Sequence, residues 1–226
     1  MRGNKKSKEI WRELRWRVFG KSQYGEHWKP EHIKWYEEIH NSNHLLHENF
    51  KKYLQEKNDI QTVLEVGCGA GVYPIKNKNL FSNMKYTGID FSNAAVSYCK
   101  KHSDFQFICG DFIKMNIIAQ YDLVFSHAVV DHVYDIDTFI RNIVAATKKY
   151  AYIHSYRGYF PTLQKHEMNW FENEGIYYND LSVPQIKSTL LKCGLDSSEF
   201  IIRSQESGQS GKNVNLQTVI EITKKS

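Results

Sequence analysis

Short apolar runs rich in β-branched and aromatic residues recur along the chain from residue 62 onward, with helical stretches between them. Five of these runs predict strands, over residues 62–68, 85–90, 105–109, 121–126 and 149–154. Strands that alternate with helices are joined by right-handed crossovers, which make them parallel members of one sheet covered on both faces. The pattern therefore predicts a doubly wound α/β domain.

Two further runs, over residues 199–204 and 216–223, predict the last strands of the sheet. Residues 206–213 connect them with Gly, Ser and polar residues, and this connection is too short for a crossover helix. We therefore expect the last two strands to be antiparallel. The complete prediction is a seven-stranded, mostly parallel sheet with an antiparallel last strand.

The first sixty residues have a different pattern, with apolar residues at helical spacing over 10–19 and again over 30–56. We expect residues 1–60 to form a helical lid and residues 61–226 to form the main domain. A segment of unusual aromatic content, at about residues 157–182, follows the fifth strand. Long loops at the carboxyl edge of a parallel sheet usually build binding pockets, so this insertion is predicted to cover a substrate.

Composition narrows the class of protein. The chain has 226 residues, of which 41% are hydrophobic, enough for one domain with a substantial core. Its four cysteines show no paired spacing, and no apolar run approaches the roughly 18 residues that cross a bilayer. We expect a cytoplasmic protein, monomeric or homodimeric, with reduced thiols and no membrane span.

The positive charge is concentrated at the N-terminus. Residues 1–21 contain eight Lys and Arg against two Glu, within a formal net charge of +5 for the chain. This segment is either a patch that attracts phosphate groups or a solvated helix face, and the sequence leaves both interpretations open.

The chemistry-bearing residues follow the predicted strands. The sequence Val63-Leu-Glu-Val-Gly-Cys-Gly-Ala-Gly71 leads from a strand into three glycines at alternate positions, and Asp90 and Asp111 stand at the ends of the next two strands. Parallel sheets bind ligands beyond the carboxyl ends of their strands, and a Gly-rich turn offers bare backbone N–H groups. A nucleotide-like ligand is predicted over this edge, although the glycines do not form the dinucleotide pattern G-x-G-x-x-G.

These residues, together with Gly88-Ile-Asp90, Gly110-Asp111-Phe112 and Tyr121-Asp-Leu-Val124, resemble the successive motifs of class I S-adenosylmethionine-dependent methyltransferases. The resemblance covers residues 60–155 and implies a Rossmann-like fold with S-adenosylmethionine as cofactor. It implies that the glycine turn lies under the methionine moiety, that Asp90 holds the ribose and that Asp111 meets the adenine amine. Glu65 either orders the loop or reaches the cofactor ammonium through water. The implied cofactor contacts are Glu65, Gly67, Gly69, Gly71, Asp90, Phe91, Asp111, Phe112 and Ser126.

The candidate general base lies after the fourth strand, where the cofactor methyl should point. His127 is the first choice, because imidazole titrates near neutral pH and this residue follows the predicted strand directly. Asp131 and His132 come next, and His132 either acts directly or anchors its loop to a backbone group. His154 is a further alternative.

The acceptor pocket is predicted from the aromatic and basic residues near the same edge. Its candidate residues are Tyr24, Trp28, Tyr134, Tyr156, Arg157 and Trp170. Arg157 suits a phosphate or carboxylate on the acceptor, but it equally suits a surface ion pair. The predicted partner is a small polar acceptor, with anionic ones included.

Absent motifs exclude several activities. No Asn/Asp-Pro-Pro-aromatic tetrapeptide follows the fourth strand, which argues against amide-like nitrogen methylation, and no Cys lies between Cys109 and Cys193 to attack a cytosine ring. The acidic residues Asp131, Asp135 and Asp137 are expected to form a solvated turn, so no metal is predicted.

Three functions remain open. The first is methylation of a small acceptor, at a hydroxyl of a sugar-like or phosphorylated metabolite. The second is an RNA or protein methyltransferase that grips its partner with the basic N-terminal helix, although no recognisable RNA-binding module supports a nucleic-acid partner. The third is a non-catalytic scaffold that keeps the cofactor fold.

Overall fold

The computed structural model describes residues 45–116, 118–171, 175–206 and 216–225. Seven strands form its main sheet, in the order β3-β2-β1-β4-β5-β9-β8. They are β1 (Thr62–Val66), β2 (Lys85–Asp90), β3 (Gln106–Cys109), β4 (Tyr121–His127), β5 (Thr147–Ser155), β8 (Phe200–Glu206) and β9 (Leu216–Thr223). Strand β9 is antiparallel to both neighbours, and the other pairs are parallel. The predicted seven-stranded sheet with an antiparallel last strand is confirmed.

Helices cover both faces of this sheet. Helix α1 (Leu45–Gln55) packs on one face, where Phe50 meets Phe125 and Tyr152, and α2 (Asn93–His102) contributes to the same apolar cluster. Helices α3 (Ile136–Ala146) and α4 (Val183–Lys192) lie on the other face. Two separate apolar cores result, one on each side, as a doubly wound sheet requires.

Several strand ends differ from their predicted positions by one or two residues, and those of β1 and β4 lie next to the predicted site. Strand β1 stops at Val66 because Gly67 adopts a φ of 78°, which turns the chain out of the sheet. Strand β4 instead continues through His127, which pairs with His154 of β5 in register. The His127 ring is therefore oriented by the alternation of the strand, on the same face as Leu123 and Phe125.

The predicted insertion at about residues 157–182 contains a second, two-stranded antiparallel sheet, formed by β6 (Glu167–Phe171) and β7 (Ile176–Asp180). The amide of Asn179 donates to the carbonyls of Val130 and Val133, at 3.1 and 2.7 Å. This hairpin is thereby fixed to the turn that follows β4. It forms a wall beside the carboxyl edge of the main sheet.

Most of the predicted N-terminal lid, including Tyr24 and Trp28, lies outside the described residues. Of that lid the structure describes only residues 45–60, including α1. Within the described part of the chain, no helix combines the length and apolar character needed to span a membrane.

Candidate functional site

The glycine turn after β1 is a tight, left-handed segment. Gly67, Gly69 and Gly71 have φ values of 78°, 50° and 85°. The backbone N–H of Gly67 donates to the carbonyl of Ile89 at 2.7 Å, which ties the turn to the end of β2. A β-carbon on Gly67 would lie 2.1 Å from Cγ2 of Val129, so the turn also packs against the segment after β4. This close approach requires glycine at position 67.

Asp90 holds the same turn from the end of β2. Its Oδ2 accepts the backbone N–H of Gly69 at 2.9 Å, and its Oδ1 accepts that of Ser92 at 2.8 Å. Ser92 in turn caps α2, since its hydroxyl accepts the N–H of Ala95 at 3.3 Å. The carboxylate therefore joins the glycine turn to the start of α2, and it stays partly open to solvent.

Glu65 is buried at the end of β1, where the Tyr86 hydroxyl donates to its Oε2. Burial raises the pKa of Glu65 to about 8, against the lowering effect of Tyr86, so the carboxyl carries a proton at neutral pH. The contact with Tyr86 corresponds to the first of the two roles considered for Glu65, the ordering of the loop.

Asp111, the predicted adenine contact, is already bonded at the end of β3. Its Oδ2 accepts the Tyr134 hydroxyl at 2.7 Å and lies 3.1 Å from Nζ of Lys114, while its Oδ1 accepts the N–H of Ile113 at 3.1 Å. Tyr134, predicted for the acceptor pocket, thus lies at the end of β3 instead. An adenine amine would share this carboxylate with Tyr134 or displace it.

Phe112 and Ser126 are both buried and have partners within the fold. Phe112 is buried in the core beside Phe139, with ring centroids 5.7 Å apart, whereas Phe91 stays half-buried. Ser126 has no exposed surface, and its hydroxyl donates to the carbonyl of Val66 at 2.9 Å. Ser126 therefore joins β4 to β1.

His127, the first candidate base, is enclosed by rings at the end of β4. It stacks on Tyr73 with ring centroids 5.2 Å apart and lies edge-on to Phe50 at 4.8 Å. Its Nε2 is 3.1 Å from the Tyr73 hydroxyl, which also lies 2.8 Å from Nδ1 of His47. Burial lowers the pKa of His127 well below its usual value, and His154 and His47 lower it further. The imidazole is neutral at pH 7.

The next residue, Ala128, has a φ of 57°, and no other non-glycine residue in the described part of the chain has a positive φ. Left-handed backbone costs an alanine roughly 1–2 kcal/mol. The strained peptide is held because the N–H of Ala128 donates to the carbonyl of His154 at 2.9 Å. The left-handed backbone of Ala128 turns the chain so that the next side chain, Val129, packs against Gly67. The strain therefore lies where the glycine turn contacts the end of β4.

Asp131 does not lie in a solvated acidic turn as expected. It is fully buried, and its carboxylate accepts the Ser155 hydroxyl at 2.6 Å and the backbone N–H groups of Tyr156 and Arg157 at 3.4 and 3.3 Å. Burial raises its pKa to about 7. Asp131 thus fastens the turn after β4 to the end of β5, because the two strands are neighbours in the sheet.

His132 and Tyr156 form a second polar pair at this edge. Nδ1 of His132 lies 2.7 Å from the carbonyl of Tyr177, so this nitrogen carries the hydrogen. Its Nε2 is then an acceptor, and the Tyr156 hydroxyl donates to it at 3.2 Å. His132 therefore anchors its loop to a backbone group, which is one of the two roles considered for it. Its Nε2 also accepts from the hydroxyl of Tyr156, which is half-buried.

The remaining acceptor candidates each contact the β6–β7 hairpin, through different residues of β7. Arg157 is paired with Asp180 at 3.1 Å and lies over the Tyr178 ring at 5.5 Å, which is the ion-pair alternative of the sequence interpretation. Trp170 packs against Tyr177, with ring centroids 5.0 Å apart.

No three metal-ligating side chains converge within residues 45–116, 118–171, 175–206 and 216–225. Asp135 instead caps α3 by accepting the N–H of Thr138 at 2.9 Å. Asp137 accepts the amide of Gln185 and the hydroxyl of Thr189, at 2.9 and 2.5 Å, which holds α3 against α4.

The sequence interpretation missed several residues of the site. Tyr73 is the main one: it follows the glycine turn by two positions and joins that turn to His127. Asp180 and Tyr178 were also missed, because only the hairpin brings them to Arg157. Tyr73 carried a local signal, an aromatic residue two positions after a glycine-rich turn, whereas Asp180 carried none.

The sequence profile of the family described as "Methyltransferase domain" matches residues 57–208. Over 84 residues the chain is 30% identical to malonyl-(acyl-carrier protein) O-methyltransferase of Bacillus anthracis, covering 36% of this chain and 31% of that protein. Over 69 residues it is 39% identical to tRNA (guanine-N(7)-)-methyltransferase of Cytophaga hutchinsonii, covering 28% and 31%. The chain thus spans less than a third of the length of either relative.

Among solved structures, magnesium protoporphyrin IX methyltransferase from Synechocystis PCC 6803, crystallised with bound SAM, aligns with a TM-score of 0.55 at 14% identity. The alignment covers 79% of this chain and 77% of that one. At this identity the likeness shows a shared fold.

Proposed function

Because this chain belongs to the family of methyltransferase domains, we propose that it transfers a methyl group from S-adenosylmethionine to a small polar acceptor. The acceptor group is a hydroxyl oxygen, as on a sugar-like or phosphorylated metabolite. One observation carries the proposal: Asp90 holds a turn of three left-handed glycines at the carboxyl end of the sheet while staying partly open to solvent. Such a turn allows a ligand to approach the backbone closely.

The residues present fit the cofactor. Asp90 keeps lone pairs beyond its two backbone contacts, and these can accept ribose hydroxyls. Asp111 can accept an adenine amine in place of Tyr134. When bound, S-adenosylmethionine supplies an electrophilic methyl group on a sulfonium. The task left to the chain is to orient the acceptor, to exclude water and to receive a proton.

We assign the proton-accepting role to the histidines at the end of β4, with His127 first and His132 second. The low pKa of His127 keeps it in the neutral form that a general base requires at pH 7. His132 Nε2 is an acceptor bonded to Tyr156, so an acceptor hydroxyl could reach it only through or instead of that phenol. A fall in turnover for His127→Ala, with unchanged cofactor affinity, would support the first assignment.

The charge around the hairpin favours an uncharged acceptor. Arg157 would bind a phosphate or carboxylate in competition with Asp180, which already offsets its positive charge, so a second ion pair at this partly exposed side chain gains little. A neutral hydroxyl compound avoids this competition. The described side chains therefore support the sugar-like acceptor more than the phosphorylated one.

The test is calorimetric titration of the purified chain with S-adenosylmethionine and S-adenosylhomocysteine, with NAD as the control ligand. We expect saturable binding of the first two, weakened about tenfold or more in Asp90→Ala through loss of charge-assisted hydrogen bonds. Asp104→Ala, at an exposed carboxylate outside the site, should bind as the parent chain does. Failure of both sulfur ligands to bind would favour the scaffold alternative, and binding of NAD alone would refute the cofactor assignment.

A further inference from the structure

A row of polar side chains crosses the sheet face that α1 covers, in a setting that is otherwise apolar. His127 on β4 and His154 on β5 are partners in the parallel register, with ring centroids 5.7 Å apart. Gln217 on β9 continues the row, since its Oε1 lies 2.9 Å from Nε2 of His154. Phe125 and Tyr152 belong to the apolar cluster beside these residues. Polar side chains at such positions need hydrogen-bond partners.

In each of the two histidines, one ring nitrogen has a hydrogen-bond partner and the other has none among the described residues. Because an amide oxygen only accepts, Nε2 of His154 carries the hydrogen, and Nδ1 of the neutral ring is an acceptor. Nε2 of His127 lies 3.1 Å from the Tyr73 hydroxyl. Nδ1 of His127 and Nδ1 of His154 are both buried, and neither has a hydrogen-bond partner among the residues that the structure describes. Buried nitrogens of this kind are rare in folded proteins and call for a ligand or a water.

The two nitrogens are complementary to a hydroxyl group. When Tyr73 donates to Nε2 of His127, the Nδ1 of that neutral ring carries the hydrogen and can donate, while Nδ1 of His154 can accept. A hydroxyl group is both an acceptor and a donor, so one hydroxyl can satisfy both nitrogens. Burial holds the pKa of His154 at about 4, so the row offers no positive charge to an anion.

We propose that His127 and His154 together bind one uncharged hydroxyl group of the methyl acceptor, a group other than the hydroxyl that is methylated, because Nδ1–H of His127 donates here and only its Nε2 can receive a proton. This inference rests on the proposed function and deepens it, because it assigns the acceptor chemistry to a specific pair of side chains. His127 is partly exposed as a residue although its Nδ1 is buried, whereas His154 is fully buried, so an acceptor would meet His127 before His154. Tyr73 and Gln217 are positioning residues, since their hydrogen bonds fix the two rings.

The experiment follows the imidazole nitrogens of the ¹⁵N-labelled full chain by NMR while glycerol is added as a hydroxyl probe. The nitrogen signals of His127 and His154 should shift together and saturate. His102 provides an internal reference, because it is exposed and its Nδ1 is bonded to the carbonyl of Tyr98. Acetate is the charged control probe and should leave both buried histidines unchanged. His154→Phe, which keeps a flat ring, should weaken the glycerol response of His127 about tenfold through loss of one neutral hydrogen bond.

The inference is overturned if glycerol shifts the nitrogen signals of neither histidine, which is the result expected if a water is permanently bound there. It is also overturned if acetate shifts those signals as much as glycerol does. It needs no variant to fold, because the titration of the parent chain alone decides it. Binding of S-adenosylhomocysteine is measured separately on the same sample. If S-adenosylhomocysteine binds normally but glycerol shifts neither signal, only the hydroxyl site is refuted. If S-adenosylhomocysteine does not bind but the glycerol response is intact, the proposed cofactor is refuted and the hydroxyl site stands.

Discussion

Replacement of Gly67 by alanine should destabilise the fold through two separable effects. The φ of 78° costs an L-residue roughly 1–2 kcal/mol, because the β-carbon crowds the following carbonyl. The new β-carbon would also lie 2.1 Å from Cγ2 of Val129, and overpacking of this kind costs about 1–3 kcal/mol. We therefore expect Gly67→Ala to lower the free energy of unfolding by about 2–5 kcal/mol.

The two effects separate in a double-mutant cycle with Val129→Ala, which removes both γ-methyl groups and leaves the Val129 β-carbon at 3.2 Å. The double variant should recover the overpacking share, a coupling of about 1–3 kcal/mol, and keep the backbone strain. Gly110→Ala is the matched control, since its β-carbon would meet Met115 Sδ at an ordinary 3.5 Å and should change stability by less than about 0.5 kcal/mol. Urea unfolding followed by circular dichroism measures all four variants. Equal stabilities of Gly67→Ala and Gly110→Ala, or zero coupling, would refute the reasoning.

Three other predictions concern the same edge of the sheet. Ala128→Gly should leave the free energy of unfolding unchanged or raise it by up to about 1 kcal/mol, because glycine adopts a φ of 57° without strain. Ala145→Gly in α3 should lower it by about 1 kcal/mol, so in thermal melts this variant should unfold at a lower temperature than Ala128→Gly. For Glu65 the folded pKa of about 8 lies above the unfolded value, so the folded chain holds a proton that the unfolded chain releases. Stability should therefore fall as pH rises from 5 to 8, by at most roughly 1.4 kcal/mol per unit, and Glu65→Gln should flatten that slope. Asp131→Asn should flatten the dependence of stability on pH between pH 4 and 7, because burial raises the pKa of Asp131 to about 7. If neither variant changes the slope, burial does not raise the pKa of these two acids.

Much of the fold follows from local patterns in the sequence. The strand positions, the antiparallel last pair and the glycine turn depend on side-chain periodicity, loop length and glycine spacing, each of which is readable within about ten residues. The position of Asp90 at a strand end follows from the same information, and the structure places its carboxylate on the Gly69 N–H. The hairpin at 167–180 was not predicted as strands, since its aromatic residues equally suit a loop.

The partners of the site residues depend on contacts between distant parts of the chain. Asp131 looked like a member of a solvated acidic turn, but the neighbouring strand β5 brings Ser155 over it and buries it. Tyr134 was assigned to the acceptor, yet its hydroxyl donates to Asp111, which is 23 positions away in the sequence. Arg157 meets Asp180 only because the hairpin folds back onto the sheet edge.

The sequence by itself determined the type of element, the succession of strands and helices along the chain and the antiparallel last pair, because backbone conformation and binary pattern are local properties. Only the tertiary structure decided which side chains face one another there. His127 is the clearest case: its residue type and its place near the end of β4 could be read from the chain. Its orientation toward Tyr73 and its pairing with His154 required β5 and α1 to pack around it, since burial and hydrogen-bond partners are properties of the assembled fold.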